Sequence, residues 1–407
     1  MKTWCQFPKP AAILAMLFLA GCGGSAAPSS TVPAGSSSPV VSPSAPAKPI
    51  SSAAASSSVA LAPLPGSSAA APAEWDSVVA AAKQEGQVSV ATTSTTTTAL
   101  FDPFKAKYGI NVNVLGASAG ELLPRVKTER AAGQYLYDVS LNATNTTING
   151  YKPIDALDPL LPALILPDVK DDKSWIGGFG EGWADSGKSL DYSTQRLAEP
   201  IIHVNRQVVP ESQLSHVAQL WDPAWKGKIV MGDTRVPTTA TPMLGAWLLT
   251  FGEDKVRTFL QTQQPVISNQ PRQIAEWLVR GQYPIAFGVG VPDMTNFAKQ
   301  GLDLSQVKPL APDDPGGVVA DDGTGSIALF NKAPHPNAAR VLINWLMSQD
   351  GQTVAAKLTG YNSRRTDVPP VDATTVIDPN KKYVRVQTED SYPTFLQAMA
   401  ISKELLK

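Results

Sequence analysis

Gly116-Ala117-Ser118-Ala119-Gly120 fits the G-x-S-x-G spacing that puts a serine hydroxyl at the tip of a sharp strand-to-helix turn. His203, His216 and His335 follow it, in the chain order that a Ser…Asp…His hydrolase requires. The strand count opposes that chemistry. A single strand precedes the motif's own strand in the globular body, whereas a hydrolase sheet needs several, one of them carrying the oxyanion loop. Ser118 reads instead as a helix cap whose hydroxyl contacts a ligand. Metal chemistry has even less support: the three histidines are scattered and no H-E-x-x-H occurs, so no metal ligands are expected. His203 itself reads as a strand residue with a satisfied ring.

What the chain does repeat is a hydroxyl- or glycine-rich corner between a strand and a helix. These corners are TTSTTTT (92–98), ASAG (117–120), NATNT (142–146), DTRVPTT (233–239) and the turn from Gly288 to Val291. Hydroxyls, helix-terminal N–H groups and one guanidinium can hold a polar or anionic solute without making or breaking a bond. The candidate contacts are Thr93, Ser94 and Thr95, then Ser118, Ala119 and Gly120, and then Asn142 and Thr144. Arg235, Thr238, Thr239 and Gly290 complete them. No cofactor and no enzymatic activity are expected.

The elements that would position these corners follow from periodicity. Glu74 to Glu85 has Trp75, Val78, Val79 and Ala82 on one helical face. GQVSVAT is a first strand. A helix with Leu100, Phe101, Phe104 and Tyr108 at core spacing follows and ends at Gly109. INVNVLG is a second strand, ELLPRVKTERAAG a helix, YDVSLN a third strand, and ATNTT leads into another helix. That rhythm indicates a parallel sheet with helices on its faces. Asp155 to Gly187, rich in Pro and Gly, reads as an irregular layer. RLAEPIIHVNRQVV is a strand. WDPAWKGKIVMGDTRVPTTATPMLGAWLLT then runs turn, strand, loop, helix, with Thr238, Thr239 or Thr241 as cap and Pro242 in the first turn. YPIAFGVGVPD and VKPLAP are further strands. GGVVADDGTGSIALF reads as two strands about an acidic turn, with Asp321-Asp322 solvated. A long helix broken near Gly351 and a helical C-terminal tail complete the series. Trp221, Trp225, Trp247, Trp277 and Trp345 are expected in the core. Two facing sets of corners make a cleft suited to closure on a small solute.

The 407 residues carry a formal charge of −1 with no basic run, so nucleic acid is not an expected partner. Lys2 and Lys9 precede a short apolar run ending in Leu19-Ala20-Gly21-Cys22, which reads as a lipoprotein signal peptide (1–21) with lipidation at Cys22. Residues 22–73 then form a Ser/Ala/Pro tether with Lys48 as its sole charge, expected to be disordered and to span on the order of 40 Å. Cys5 and Cys22 are the only cysteines, so disulfides and thiolate chemistry are excluded from the exported body. The expected address is extracytoplasmic: lipid-anchored on the outer face of the bacterial cytoplasmic membrane, or in the periplasm. The lipid would be the only membrane attachment, and a monomer is expected.

LFDPFKAKYGINVNV, SAGELLPRVKTERAAGQYLYDV, LWDPAWKGKIVMGDTR and HPNAARVLINWLMSQDGQ, followed by YNSRRTDV, resemble extracellular solute-binding proteins of ATP-driven importers. The resemblance is to the branch that includes ferric-ion binders, and it covers most of 75–368. It implies an α/β, two-lobed periplasmic-binding type II fold with parallel-rich sheets joined by two crossing strands, near 196–206 and 310–325. Residues 74–200 and 318–350 would form lobe 1, and 201–317 with 351–407 lobe 2, the lobe of the C-terminal helices being left open. It also implies delivery of a small solute to an ABC permease. Thr324 and Ser326 sit where the family places a second-crossing contact, and Tyr361 in a loop it puts near the cleft. The family's ferric binders use an adjacent tyrosine pair beside an Asn. The matching positions here are His203, Val204 and Asn205, which departs from that pattern and favours an organic solute or metal chelate over bare ferric iron.

Overall fold

The structure is a computed structural model that describes residues 73–93, 95–310, 316–321 and 326–406. The signal segment, Cys22, the tether through residue 72, Ser94 and Thr324 lie outside the described residues. Among the described residues, no helix is long and apolar enough to cross a membrane.

The first half builds one sheet from β-α corners. Helix α1 (Ala73–Glu85) leads to β1 (Gln87–Thr92), α2 (Asp102–Tyr108), β2 (Asn111–Gly116), α3 (Ala119–Ala131) and β3 (Val139–Asn142). β1 pairs parallel with β2 and with β3. Gly109 closes α2 in the left-handed conformation, returning its N–H to Lys105 O. After β1 the hydroxyl run enters a 3-10 helix over Thr95–Phe101. After β3 the chain does not form a plain α-helix. A single turn, α4 (Thr144–Thr146), passes into a π-helix at Thr147–Tyr151 and a 3-10 turn at Lys152–Ile154. Gly150 sits in that π-helix, where an added Cβ would come within 2.8 Å of Leu123 on α3. Two short strands, β4 (Leu157–Asp158) and β5 (Tyr192–Ser193), bracket the irregular layer. In that layer Phe179 and Trp183 pack on Tyr192, with ring centroids 4.9 and 5.2 Å away.

The segment expected as one strand over 196–209 is two: β6 (Leu197–Pro200) and β7 (Ile202–Asn205), separated at Ile201. They enter different sheets. Lobe 2 continues with β8 (Ile229–Gly232), α5 (Ala240–Phe251), α6 (Glu253–Gln263), β9 (Val266–Ser268), α7 (Pro271–Val279), β10 (Ile285–Phe287), α8 (Val291–Lys299) and β11 (Val307–Pro309). Its sheet order is β11-β7-β10-β8-β9. Alternation along each strand feeds two cores. Ile229 and Met231 pack with α5 and α6, whereas Val230 and Ala286 pack with Ile274, Leu278 and Met294 of α7 and α8. Trp247 is fully buried, stacked on Trp221 at 5.2 Å.

The chain then returns to lobe 1. β12 (Val318–Asp321) and β13 (Ser326–Phe330), expected as neighbours about a turn, belong to different sheets. β13 runs antiparallel to β3, β4 and β5 in the first sheet, giving the order β2-β1-β3-β13-β4. α9 (Pro336–Met347) and α10 (Gln349–Thr359) pack on lobe 1, with Trp345 and Ala355 in the same core as Phe104. Residues 351–359, in the stretch whose lobe the sequence leaves open, thus pack against the first core. The close approach is set at Gly351, where a Cβ would lie 2.0 Å from Trp345 O. β14 (Val384–Arg385) and α11 (Tyr392–Leu405) finish the chain, and α11 packs on α5 in lobe 2. With α10 in one lobe and α11 in the other, the chain has to pass between lobes a third time. The connecting sheet is β14-β12-β6: β6 and β12 are the two expected crossing strands, and β14 lies parallel to β12 at the sheet's edge, running toward lobe 1, so it is not itself that third passage.

Candidate ligand cleft

Because β1, β2 and β3 are parallel, Thr92 and Thr93, Ser118 and Asn142 all reach the same edge of the first sheet. β13 is antiparallel and brings its first residue to that edge: Ser326 stands opposite Asn142 on one side and Ser193 on the other. Asn142 is 1% exposed, and its Nδ2 donates to Ala91 O at 2.9 Å and Ser140 Oγ at 2.8 Å. Its Oδ1 accepts from no group, and neither do the hydroxyls of Thr144 and Thr147 find a partner. Ser326 Oγ donates to the buried Asp191 carboxylate. Ser193 Oγ donates to Gln195 O at 2.9 Å.

Ser118 is the N-cap of α3 and is exposed. Glu121 reaches back to it, accepting from Ser118 N–H at 3.1 Å and Oγ at 2.8 Å, which is half of a capping box. These bonds hold the carboxyl of Glu121 below its ordinary value. The serine's recorded partner is thus a helix-end carboxylate, as its capping role requires. Gly120 follows on the exposed first turn, with Ala119 before it, and Thr95 opens the 3-10 helix of the neighbouring corner.

In lobe 2 the corners after β8 and β10 are pressed together. A Cβ on Gly232 would lie 2.7 Å from that of Ala240, and one on Gly288, at φ +78°, would lie 2.4 Å from it. Glycine at both positions lets the strand ends close on the first turn of α5. Thr239 is the N-cap of α5 but makes no side-chain capping bond; Thr238 Oγ1 donates to Asp233 O and its N–H donates to Thr241 Oγ1, which ties down the loop before the helix. Arg235 is engaged by its own loop: Nε and Nη2 donate to the two oxygens of Asp233 at 2.9 and 3.0 Å. That pairing holds the Asp233 carboxyl below its usual range. Gly290 caps α8, and the first free N–H of that helix, on Val291, donates to Glu199 Oε1 at 2.9 Å. In the same turn, burial lifts the carboxyl of Asp293 above its ordinary value.

Both sets of corners border the connecting sheet. Ser193 precedes β6 and Ser326 follows β12. On the other side Gly288 N–H donates to Ile201 O at 2.8 Å, while Glu199 of β6 receives Val291. Glu199 and Asp191, both buried, are carboxylates beside these corners that periodicity did not mark. Thr147 is another residue that periodicity passes over, because nothing in TINGY announces a π-helix.

Tyr361 is half-buried, with its N–H on Thr359 Oγ1 at 3.2 Å, and that hydroxyl also accepts from Gln195 Nε2. The residues after it are structural. Asn362, Ser363, Arg364 and Arg365 are all buried. Arg364 donates to Ser193 O at 3.1 Å and to Ile176 O and Gly178 O at 3.0 Å, bracing β5 beneath the cleft edge. A hollow of about 260 Å³ between Ile176, Val368, Pro370 and Val376 lies beside this brace and includes none of the corner residues.

His203 lies in mid-sheet, 6% exposed, paired with Ala286 and Pro309. Burial pushes its imidazole down to about 4, so the ring is neutral at physiological pH. Its neighbour Val204 faces the opposite core, and Asn205 Nδ2 is spent on Leu278 O and Val279 O. None of the three turns a hard anionic oxygen toward a ferric ion. Among the described residues no group of three or more His, Cys, Asp or Glu could hold a metal ion.

Comparison with known proteins agrees with this architecture. A relative from Haemophilus influenzae, an uncharacterized protein, is 22% identical over 292 residues, 68% of this chain and 77% of that one. The ferric binding protein of Bordetella superposes with a TM-score of 0.61 at 19% identity, covering 78% of this chain and 98% of that one. Iron-bound HitA of Pseudomonas aeruginosa gives 0.58 at 15%, covering 79% and 99%. AfuA of Actinobacillus pleuropneumoniae, with fructose-6-phosphate bound, gives 0.55 at 17%, covering 79% and 99%. These likenesses identify the two-lobed periplasmic-binding fold. The sequence model for bacterial extracellular solute-binding proteins matches residues 99–382, and the chain belongs to that family.

Proposed function

We propose that the chain binds one small polar or anionic solute, or a metal chelate, in the cleft beside the connecting sheet and presents it to an ABC permease as a monomer. In this reading Cys22 carries the lipid that holds the protein outside the cytoplasmic membrane. Thr93, Ser118, Asn142, Thr144 and Ser326 serve lobe 1, with Ser94, Thr95, Ala119, Gly120, Thr324 and Tyr361 around them. Thr238, Thr239, Arg235 and Gly290 serve lobe 2. The supporting observation is that hydroxyl-bearing corners of both lobes border one connecting sheet, with buried oxygens at the lobe 1 edge that no protein group satisfies.

Iron is the second reading, favoured by HitA, which was solved with iron. AfuA, of the same fold, was solved with a sugar phosphate. The neutral His203 and the apolar Val204 favour the organic or chelated solute. Native mass spectrometry of the purified chain identifies any solute carried through purification, and calorimetric titration then compares it with ferric citrate and uncomplexed Fe(III). A solute that binds and reduces the radius of gyration in X-ray scattering is the expected result. Tight binding of uncomplexed Fe(III) alone overturns the organic reading.

A further inference from the structure

We infer that the solute enters lobe 1 with a hydrogen-bond-donating end, a hydroxyl or a protonated amine, and not with an anionic end. This deepens the cleft reading above and rests on it. The amide of Asn142 is oriented by its two donations, to Ala91 O and Ser140 Oγ, so the atom it leaves over is an acceptor. Thr144 and Thr147 are one helical turn apart, 2% and 0% exposed, and their hydroxyls are also unpartnered. A helical threonine ordinarily returns its hydroxyl to the carbonyl four residues back. Thr250, Thr258, Thr262 and Thr353 of this chain all do so. Thr147 departs from that habit where α4 passes into the π-helix, and π-helical turns of this kind occur frequently at functional sites; Thr144 opens α4, with Ser140 of β3 four residues back, so it has no helical carbonyl to return to.

Two buried groups stand behind this edge. Asp191 is fully buried and accepts from Ser326, the residue opposite Asn142. Arg364, beside Ser193, gives its guanidinium to the carbonyls of Ser193, Ile176 and Gly178, so it is already engaged by acceptors of the protein. The guanidinium that could have received an anion, Arg235, sits in the other lobe and is bound at two points by Asp233.

Calorimetric titration of the purified chain with mannitol, glucose and spermidine, against citrate and inorganic phosphate, tests the class. Thr144→Val and Thr147→Val test the site. The inference expects heat from a polyol or the amine and none from the anions. Each valine variant should bind that probe about tenfold more weakly or worse, since a bond to the solute is lost. Melting temperatures should hold or rise, because valine removes an unsatisfied buried hydroxyl without changing shape. The hydroxyls are structural, and the inference fails, if the variants melt lower with unchanged affinity. Binding of citrate or phosphate, indifferent to both variants, overturns the donor end while leaving solute capture standing. Absence of heat from every polyol and amine also overturns it.

Discussion

The Lys152 ammonium lies 2.7 Å from a carboxylate oxygen of Glu389, joining the end of the π-helical segment in lobe 1 to the stretch that leads into α11 in lobe 2. Ser186 N–H donates to the same carboxylate at 2.9 Å. Burial raises the Glu389 carboxyl, and the Lys152 and Ser186 contacts outweigh it, leaving the group below its ordinary value. A depressed carboxyl stabilises the fold above its unfolded value and loses that contribution as pH falls through the folded one. Lys152→Met should therefore cost about 1 kcal/mol at pH 7, since both partners are roughly a third exposed, and less at pH 3, below the ordinary carboxyl value. Urea denaturation at the two pH values measures the difference. An equal loss at both would mean that the lysine acts through packing alone.

His203 predicts acid sensitivity of its own. Its folded pKa of about 4 lies below the ordinary 6.5, so the unfolded chain takes up the proton first. Stability is complete above the ordinary value and falls as pH drops through the window between the two. From pH 7.5 to pH 5 this single ring should remove roughly 2 kcal/mol. His203→Leu should lose visibly less over the same interval in a denaturant series, and an unchanged slope would contradict burial as the cause.

Gly288→Ala should damage the lobe 2 corner. The new Cβ would lie 2.4 Å from the Cβ and 2.7 Å from the Cα of Ala240, at a left-handed φ. Strain and overlap together should cost about 2–4 kcal/mol. Thermal denaturation of the variant reads the loss, and an unaltered midpoint would show that α5 can retreat from β10.

Asp138 has no exposed surface and accepts three bonds: from Ser89 N–H at 2.7 Å, His335 N–H at 2.7 Å and His335 Nδ1 at 2.9 Å. It ties β1 to the start of α9, away from the cleft. Asp138→Ala should destabilise by roughly 3 kcal/mol, through buried donors left without an acceptor. Solute affinity, measured at a temperature where the variant is folded, should stay within about twofold. A large affinity loss in the folded variant would contradict a purely structural role.

The corners were legible because they are local. Gly109 and Ser118 carry their helix-end chemistry in their own residue types, and INVNVLG carries its alternation. What escaped was decided between distant segments. Ile201 looks like any other apolar strand residue, yet the chain changes sheets there because β12 claims Leu197–Pro200 and β10 claims Ile202–Val204. The lobe of α10 depends on the close approach of Gly351 to Trp345. Asp191 and Glu199 are single acids in unremarkable stretches, and only antiparallel pairing carries Ser326 to the first of them. At Arg235 the signal was present and ambiguous: the aspartate two positions earlier already supplied its counter-charge.

An odd number of passages between the lobes has a topological effect. The first helix rests on one lobe and the last on the other, so the two ends of the folded body must separate or approach whenever the cleft opens or shuts. Fluorophores on Asp76 of α1 and Lys403 of α11 would turn that swing into an energy-transfer signal, with neither probe touching the solute.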